Sequence, residues 1–169
     1  MHLIEVRDVY KIYNPGENQV NALDGVSITI DEGEFVAIIG QSGSGKSTFM
    51  NMIGLLDTPT EGEYYINGKL VDDLTDDQMS VIRNEEIGFI FQGFNLISSL
   101  SALENVELPL VYRGMPKQER REISQQALER VGLGSRIHHL PAEMHLLHNS
   151  HKDIIVLILN RHKHLCIGL

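Results

Sequence analysis

The sequence has little of what a disulfide-linked or membrane-spanning protein requires. Its single cysteine, Cys166, can form no disulfide within the chain, so a reducing compartment is expected. The longest apolar run, residues 154–159, has the length of one strand and falls far short of the roughly 20 residues that span a bilayer. The first residues lack the basic region and apolar core of a signal peptide. If the protein works at a membrane, we expect another chain to supply the spanning part.

Positive charge is also scarce. The 14 Lys and Arg residues against 23 Asp and Glu residues give a formal net charge of −9. Binding of a nucleic-acid duplex depends on neutralising its phosphates with lysine and arginine, so this charge argues against a nucleic-acid partner. A nucleotide is not excluded, because a few backbone N–H groups and one lysine suffice to hold its phosphates. The length of 169 residues suits one domain.

The apolar runs and turns predict strands in both halves of the chain. Asn67-Gly68 is a strong hairpin signal, because this pair favours the positive φ angles of a tight turn. Residues 35–39 are apolar on both faces, which predicts a strand buried in the middle of a sheet. Strands are expected at residues 3–13, 26–30, 35–39, 63–66, 69–71 and 87–91.

Capping residues mark the beginnings of two predicted helices. Thr75 is followed three residues later by Gln78, and Ser101 by Glu104, which is the reciprocal pattern of a capping box. Two other segments have helical spacing of their apolar residues. Helices are expected over residues 48–56, from Thr75 toward Arg83, from near Asn105, and over residues 116–131.

A glycine-rich loop follows the predicted strand 35–39. Gly40, Gly45, Lys46 and Ser47 meet the pattern G-x-x-x-x-G-K-[ST]. Glycines let consecutive backbone N–H groups converge on phosphate oxygens, and the helix that follows adds the positive end of its dipole. Lys46 is expected to reach the β- and γ-phosphates of a nucleotide, and the Ser47 hydroxyl to bind Mg²⁺. A Gly/Ser-rich surface turn is the alternative, and the specificity and context of the motif argue against it.

With this loop in place, several other segments together resemble the nucleotide-binding subunit of ABC transporters. The likeness is greatest to the branch that includes lipoprotein-release and macrolide-export ATPases, and it runs from about residue 3 to about residue 143. The order and spacing of the segments identify the family more strongly than any one of them. Outside the loop the segments are residues 13–16 (YNPG), 22–27 (ALDGVS), 51–57 (NMIGLLD), 87–92 (IGFIFQ), 103–106 (LENV) and 140–143 (LPAE).

The resemblance implies a fold and a division of the chain. The fold would be α/β, with a P-loop NTPase core, an antiparallel N-terminal β-subdomain and part of a helical subdomain over about residues 98–133. A partial ABC nucleotide-binding domain would occupy residues 1–143. Residues 144–169 would be a divergent or non-homologous tail.

The resemblance also implies roles for individual residues. Tyr13 would stack on the adenine ring, since an aromatic face makes a tolerant base contact, although it is also an ordinary strand residue. Gln92 would touch Mg²⁺ and the attacking water, or would simply be a polar residue at a strand end. Thr48 would add a phosphate contact, or bond its own backbone. The implied nucleotide-binding set is Tyr13, Gly40, Gln41, Ser42, Gly43, Ser44, Gly45, Lys46, Ser47 and Thr48. Ser47 and Gln92 would bind Mg²⁺, and Gln92 and Lys46 would be the catalytic residues.

The family pattern ends near Glu143. Where the family has a serine-glycine-glycine signature, this chain reads Met144-His145-Leu146, so no equivalent anion-binding nest is expected. Residues 154–159 are apolar, but Asn160-Arg161 follows them where the family has Asp-Glu, and an arginine cannot act as a base. The tail is either divergent but functional, or non-homologous as a frameshift or early stop would make it, and we favour the second interpretation.

Histidines are concentrated in this last part of the chain. Seven of the eight lie between His138 and His164. His145, His148 and His151 are three residues apart, so a helix would place them roughly on one side. No cysteine or carboxylate cluster completes a zinc pattern, so an incidental tail is favoured over a metal site.

The expected function is ATP binding as the nucleotide-binding subunit of an ABC exporter or lipoprotein-release system, with ATP and Mg²⁺ as cofactors. The implied partners are integral membrane transporter subunits and a second nucleotide-binding subunit arranged head to tail. The location would be cytoplasmic, on the inner face of the cell membrane. Without the signature and the Asp-Glu pair, little hydrolysis is expected. The alternatives are a non-transport ABC ATPase, a defunct remnant that does not fold stably, and, from the glycine loop alone, a small-molecule kinase.

Overall fold

A computed structural model describes residues 2–90, 95–145 and 165–168 of the chain. They fall into two compact units, one built mainly from residues 2–87 and the other mainly from residues 88–90 and 95–145. Gln92, His148 and His151 lie outside the described residues. The role of Gln92 therefore stays a prediction, and so does the interpretation of the histidines as part of an incidental tail.

A four-stranded antiparallel sheet dominates the first unit. Its strands are β1 (Ile4–Tyr13), β2 (Val20–Ile30), β3 (Glu61–Ile66) and β4 (Lys69–Leu70), in the order β2-β1-β3-β4. Each neighbouring pair is antiparallel, which confirms the predicted N-terminal β-subdomain. Alternate residues of β1 and β3 face a common core, as the two-residue period of a strand requires. The core residues contributed by these strands are Ile4, Val6, Val9, Tyr64 and Ile66.

A hairpin turn and a strand bulge in the sheet place residues at positive φ angles. Asn67 and Gly68 join β3 to β4 with φ angles of 50° and 74°, so the predicted hairpin turn is confirmed. In β1, Asp8 has a φ of 48° at a register shift, which is a bulge in the strand. A Cβ on Gly62 would lie 2.3 Å from the Asp8 carbonyl oxygen, so only glycine lets β3 pass this bulge.

Helices α1 (Lys46–Ile53) and α2 (Asp76–Glu85) complete the first unit with a 3₁₀ turn at Val71–Asp73. The Thr75 side chain accepts from the Gln78 N–H and the Gln78 side chain accepts from the Thr75 N–H, which confirms this capping box. An Arg83 guanidinium N–H donates to the Leu55 carbonyl at 2.5 Å and ties α2 to the segment after α1.

Residues 35–39 do not form the buried strand that their sequence predicts. The chain has no regular structure from residue 34 to residue 41, and Phe35 and Ile39 are 95% and 91% exposed. A segment becomes a strand only by pairing, and an apolar run is buried only when neighbours cover both of its faces. No strand among the described residues pairs with this run, since no sheet that they form includes it. The prediction for this segment is therefore wrong in this structure.

Tyr64 joins the sheet to α1 and gives a test of the first unit's packing. It is fully buried, and its hydroxyl donates to the Ile53 carbonyl oxygen at 2.7 Å. Tyr64→Phe leaves that buried carbonyl without its partner, so we expect the free energy of unfolding to fall by about 1–2 kcal/mol. Chemical denaturation at pH 7 measures this change. An unchanged unfolding midpoint would contradict it.

The same substitution should alter the response to high pH. Burial raises the pKa of the Tyr64 phenol far above its ordinary value, so it stays protonated when the unfolded chain ionises at about pH 10. The unfolded state then binds fewer protons than the folded state, so stability falls as pH rises beyond that point. Tyr64→Phe is expected to flatten this fall between about pH 10 and pH 11.

Helices α3 (Ala102–Tyr112) and α4 (Lys117–Arg130) form the core of the second unit. They pack through Ala102, Leu103, Val106 and Leu128, all of which are buried. The Ser101 and Glu104 capping box is present at the start of α3, as the sequence predicts. Both predicted helices of this region are confirmed, and a 3₁₀ turn at Gly134–Arg136 and the short α5 (Pro141–His145) follow them.

Two further strands are short. These are β5 (Ile87–Ile90) and β6 (Leu165–Gly168). The first of them confirms residues 87–90 of the predicted strand, and Phe91 lies outside the described residues. None of the helices described in this section is long and apolar enough to cross a bilayer.

Candidate nucleotide site

The glycine loop leads directly into the amino end of α1. Gly45 is the N-cap residue, and no side chain caps this helix. The first N–H groups of a helix have no partner inside it, and together with the helix dipole they favour an anion. An uncapped helix that begins with a glycine loop therefore has the donors and the polarity that a phosphate group needs.

Two glycines of the loop have positive φ angles but different surroundings. Gly43 has a φ of 82°, and a Cβ there would meet nothing within 4 Å. Gly45 has a φ of 84°, and a Cβ there would lie 2.2 Å from the Ala22 carbonyl oxygen of β2. The loop thus rests against the β2 backbone at Gly45, where no side chain fits.

The Lys46 ammonium lies against the loop itself. Its Nζ donates to the Gly40 carbonyl at 3.0 Å, to the Gln41 carbonyl at 2.5 Å and to Ser44 Oγ at 3.2 Å. These bonds hold the charge at the loop, close to the uncapped helix end. Ser47 is exposed in the first turn of α1, so its hydroxyl oxygen is accessible to a hard cation such as Mg²⁺.

Tyr13 is linked to Asp57, in the segment that follows α1. The ring is at the end of β1 and is 36% exposed. Its hydroxyl donates to Asp57 Oδ2 at 2.6 Å, and this bond, together with burial, raises the pKa of the phenol. A hydrogen bond with the Thr48 side chain acts in the opposite direction and lowers the pKa of the same phenol. The structure therefore joins Tyr13 to the segment directly after the helix that the loop begins.

Two residues at this site had no predicted role. The Lys11 ammonium lies over the Tyr13 ring, 5.1 Å from its centroid, and donates to Asp57 Oδ1 at 2.5 Å. Lys11 precedes Tyr13 by two positions on one strand, a spacing that favours a shared face. Asp57 is 44 residues from Tyr13, and no local pattern relates the two. Only the folded chain shows this contact.

The described residues leave the predicted Mg²⁺ ligands largely untested. Gln92, the proposed second Mg²⁺ ligand, lies outside the described residues. Within residues 2–90, 95–145 and 165–168, no group of three or more His, Cys, Asp and Glu residues is arranged to hold a metal ion. Of the proposed Mg²⁺ ligands, the structure thus describes Ser47 alone.

Comparison with known proteins decides the family. The model of a protein family described as "ABC transporter" matches residues 23–158. The chain belongs to the ABC transporter family. The match includes the glycine loop and α1 to α5, whereas Tyr13 and Lys11 precede the matched range.

Several members of the ABC transporter family are close relatives. The chain is 54% identical over 142 residues to the macrolide export ATP-binding/permease protein MacB of Hyphomonas neptunium, covering 84% of this chain and 22% of the relative. It is 50% identical over 142 residues to an uncharacterized ABC transporter ATP-binding protein of Thermotoga maritima, covering 84% of this chain and 61% of the relative. The chain thus spans less than two thirds of the length of either relative.

A solved structure shows the same fold. The ATP-binding cassette MJ0796, in a dimeric post-hydrolysis state bound to ADP and Pi, matches with a TM-score of 0.74 and 48% identity. The match covers 82% of this chain and 62% of that one. The predicted α/β fold of an ABC ATPase cassette is confirmed, and so is the resemblance to the macrolide-export-like branch.

Proposed function

We propose that this chain binds Mg-ATP as the nucleotide-binding subunit of an ABC-type export or lipoprotein-release transporter. The observation that carries the proposal is the uncapped amino end of α1, with the Lys46 ammonium held at the glycine loop beside it. The backbone N–H groups of residues 41–48 and the Lys46 ammonium would hold the phosphates. Tyr13, on the neighbouring strand end, would contact the base.

Magnesium fits the residues present at one position. The Ser47 hydroxyl is a hard oxygen ligand in the first turn of α1, next to the proposed phosphate position. When bound, Mg²⁺ would supply positive charge that neutralises part of the phosphate charge. Gln92 would be the second protein ligand, as the family resemblance implies.

We also propose the partners that a transport ATPase of this family requires. The relatives named MacB are described as ATP-binding/permease proteins, so an integral membrane permease is the partner class. A second nucleotide-binding subunit, arranged head to tail, would complete each site. The chain would then lie on the inner face of the cell membrane.

Hydrolysis is proposed to be deficient in the chain alone. The sequence after Glu143 has no glycine-rich signature, and Asn160-Arg161 follows the last apolar run. The chain would therefore supply the phosphate-binding half of a site from residues 1–143 and lack the groups that activate water. This proposal rests on sequence, since residues 146–164 lie outside the described part of the chain.

Mg-ATP is therefore expected to bind without turnover. The midpoint of thermal unfolding should rise with ATP concentration, because a ligand that binds only the folded state stabilises it. Phosphate release should equal that of the Lys46→Ala variant within error. MacB of Hyphomonas neptunium, assayed in parallel, serves as the comparison for turnover.

Two outcomes would contradict these proposals separately. Turnover comparable to that of MacB, lost in Lys46→Ala, would contradict the proposed deficiency and leave ATP binding in place. A non-cooperative unfolding curve that ATP does not shift would contradict ATP binding. It would support the alternative that the chain is a defunct remnant that does not fold stably. The exposed side chains of Phe35 and Ile39 are the observation that keeps the remnant as a second candidate.

A further inference from the structure

The Asp57 carboxylate is surrounded by three donors. Its Oδ1 accepts from the Lys11 ammonium at 2.5 Å and from the Thr58 N–H at 2.8 Å. Its Oδ2 accepts from the Tyr13 hydroxyl at 2.6 Å. Burial raises the pKa of Asp57, but the bonds from Lys11, Tyr13 and Thr58 outweigh it, and the pKa lies below its usual range. The carboxylate is therefore ionised at neutral pH.

This carboxylate and its neighbours fix the Tyr13 ring from more than one side. The hydroxyl is bound by Asp57, and the Lys11 ammonium covers one ring face. The Lys11 side chain is itself mostly buried, with 12% exposure, so the cation is held and not free to swing away. A phenol ring has only two side-chain torsions, and contacts at its tip and its face leave neither free to change.

The same network spans the two halves of the proposed nucleotide site. Tyr13 ends β1, Thr48 lies in the first turn of α1, and Asp57 follows α1 in sequence. The Tyr13 hydroxyl donates to Asp57 Oδ2, which ties the end of β1 to the segment that follows α1. The ring that would contact the base is thus connected to the helix that would hold the phosphates.

We propose that Asp57 is a positioning residue, which holds the Tyr13 ring at a fixed distance from the glycine loop and so favours a nucleotide over its phosphates alone. The proposal rests on the proposed base contact of Tyr13. Asp57 acts through Tyr13 and touches no part of the ligand. The competing explanation is that Asp57 only neutralises Lys11 and stabilises the fold.

Removing one acceptor from Asp57 separates these explanations. Asp57→Asn keeps the size of the side chain but leaves one acceptor oxygen for three donors, so the Tyr13 hydroxyl loses its partner. Tyr13→Phe removes the same bond from the other side and keeps the ring. Asp72→Asn is the matched control, because it makes the same change of charge at an exposed position of the same unit.

Binding of Mg-ATP and of Mg-tripolyphosphate to the full chain is measured for each variant by calorimetry. Asp57→Asn and Tyr13→Phe are expected to weaken ATP binding about fivefold and to leave tripolyphosphate binding within twofold of the unmodified chain. The double variant should lose no more than either single one, because both changes break one bond. Asp72→Asn should change neither ligand.

The other outcomes overturn the inference in distinguishable ways. If Tyr13→Ala removes the preference for ATP over tripolyphosphate but Asp57→Asn does not reduce it, the base contact survives and the role of Asp57 is wrong. If Asp57→Asn weakens both ligands equally, Asp57 is only structural. If Tyr13→Ala leaves ATP binding unchanged, the proposed base contact is wrong, and the role of Asp57 is wrong with it.

Discussion

Replacing Lys46 by alanine is expected to weaken Mg-ATP binding about 30-fold, since a hydrogen bond to a charged group contributes roughly 1.5–3 kcal/mol. When the nucleotide binds, the Lys46 ammonium exchanges hydrogen-bond partners in the loop for phosphate oxygens. In the free chain the ammonium already donates to the Gly40 and Gln41 carbonyls and to Ser44 Oγ. Phosphate oxygens carry more negative charge than these groups, so the exchange favours the bound state.

The control for this substitution is a second lysine of the same unit. Lys69 is exposed in β4, so Lys69→Ala makes the same change of side chain away from the loop. Calorimetric titration of both variants at one ionic strength gives the two dissociation constants. A Lys46→Ala affinity within threefold of the Lys69→Ala affinity would show that the phosphates do not bind at this loop.

Replacing Gly45 by alanine should cost about 3 kcal/mol or more of folding free energy. A left-handed backbone costs a non-glycine residue about 1–2 kcal/mol. The added Cβ would also lie 2.2 Å from the Ala22 carbonyl oxygen, so β2 or the loop must move. Forcing extra volume into a packed position costs about 1–3 kcal/mol more.

Gly43 supplies the matched control for this second prediction. Its φ of 82° is nearly equal to the 84° of Gly45, but an added Cβ meets nothing within 4 Å. Gly43→Ala should therefore reduce the folding free energy only by the cost of a left-handed backbone, about 1–2 kcal/mol. Urea denaturation of the two variants measures the difference. Equal losses of stability would mean that the contact between the loop and β2 has no energetic weight.

Local rules account for much of the fold that the sequence predicts correctly. Each capping box needs only two residues three positions apart, and both form as expected at Thr75 and Ser101. The turn at Asn67 and Gly68 also needs only its own backbone preference. Features of this kind can be predicted because no distant part of the chain takes part in them.

Features that depend on distant partners could not be predicted in the same way. Residues 35–39 have the composition of a central strand, but a strand requires neighbours, and composition does not say whether they are present. The contact between Asp57 and Tyr13 depends on how β1 and the segment after α1 meet. The segment proposed to bind phosphate is continuous and was predictable, whereas Asp57, which holds the Tyr13 ring, is distant from that ring in sequence and was not predictable.

The segment around Phe35 and Ile39 also governs how copies of the protein behave toward one another in solution. Exposed apolar side chains on a segment outside every sheet that the described residues form attract those of another copy and promote self-association. The net charge of −9 opposes this, because molecules of like charge repel at a distance. Added salt shortens the range of that repulsion and leaves the apolar attraction intact. We therefore expect self-association of the chain to increase with ionic strength.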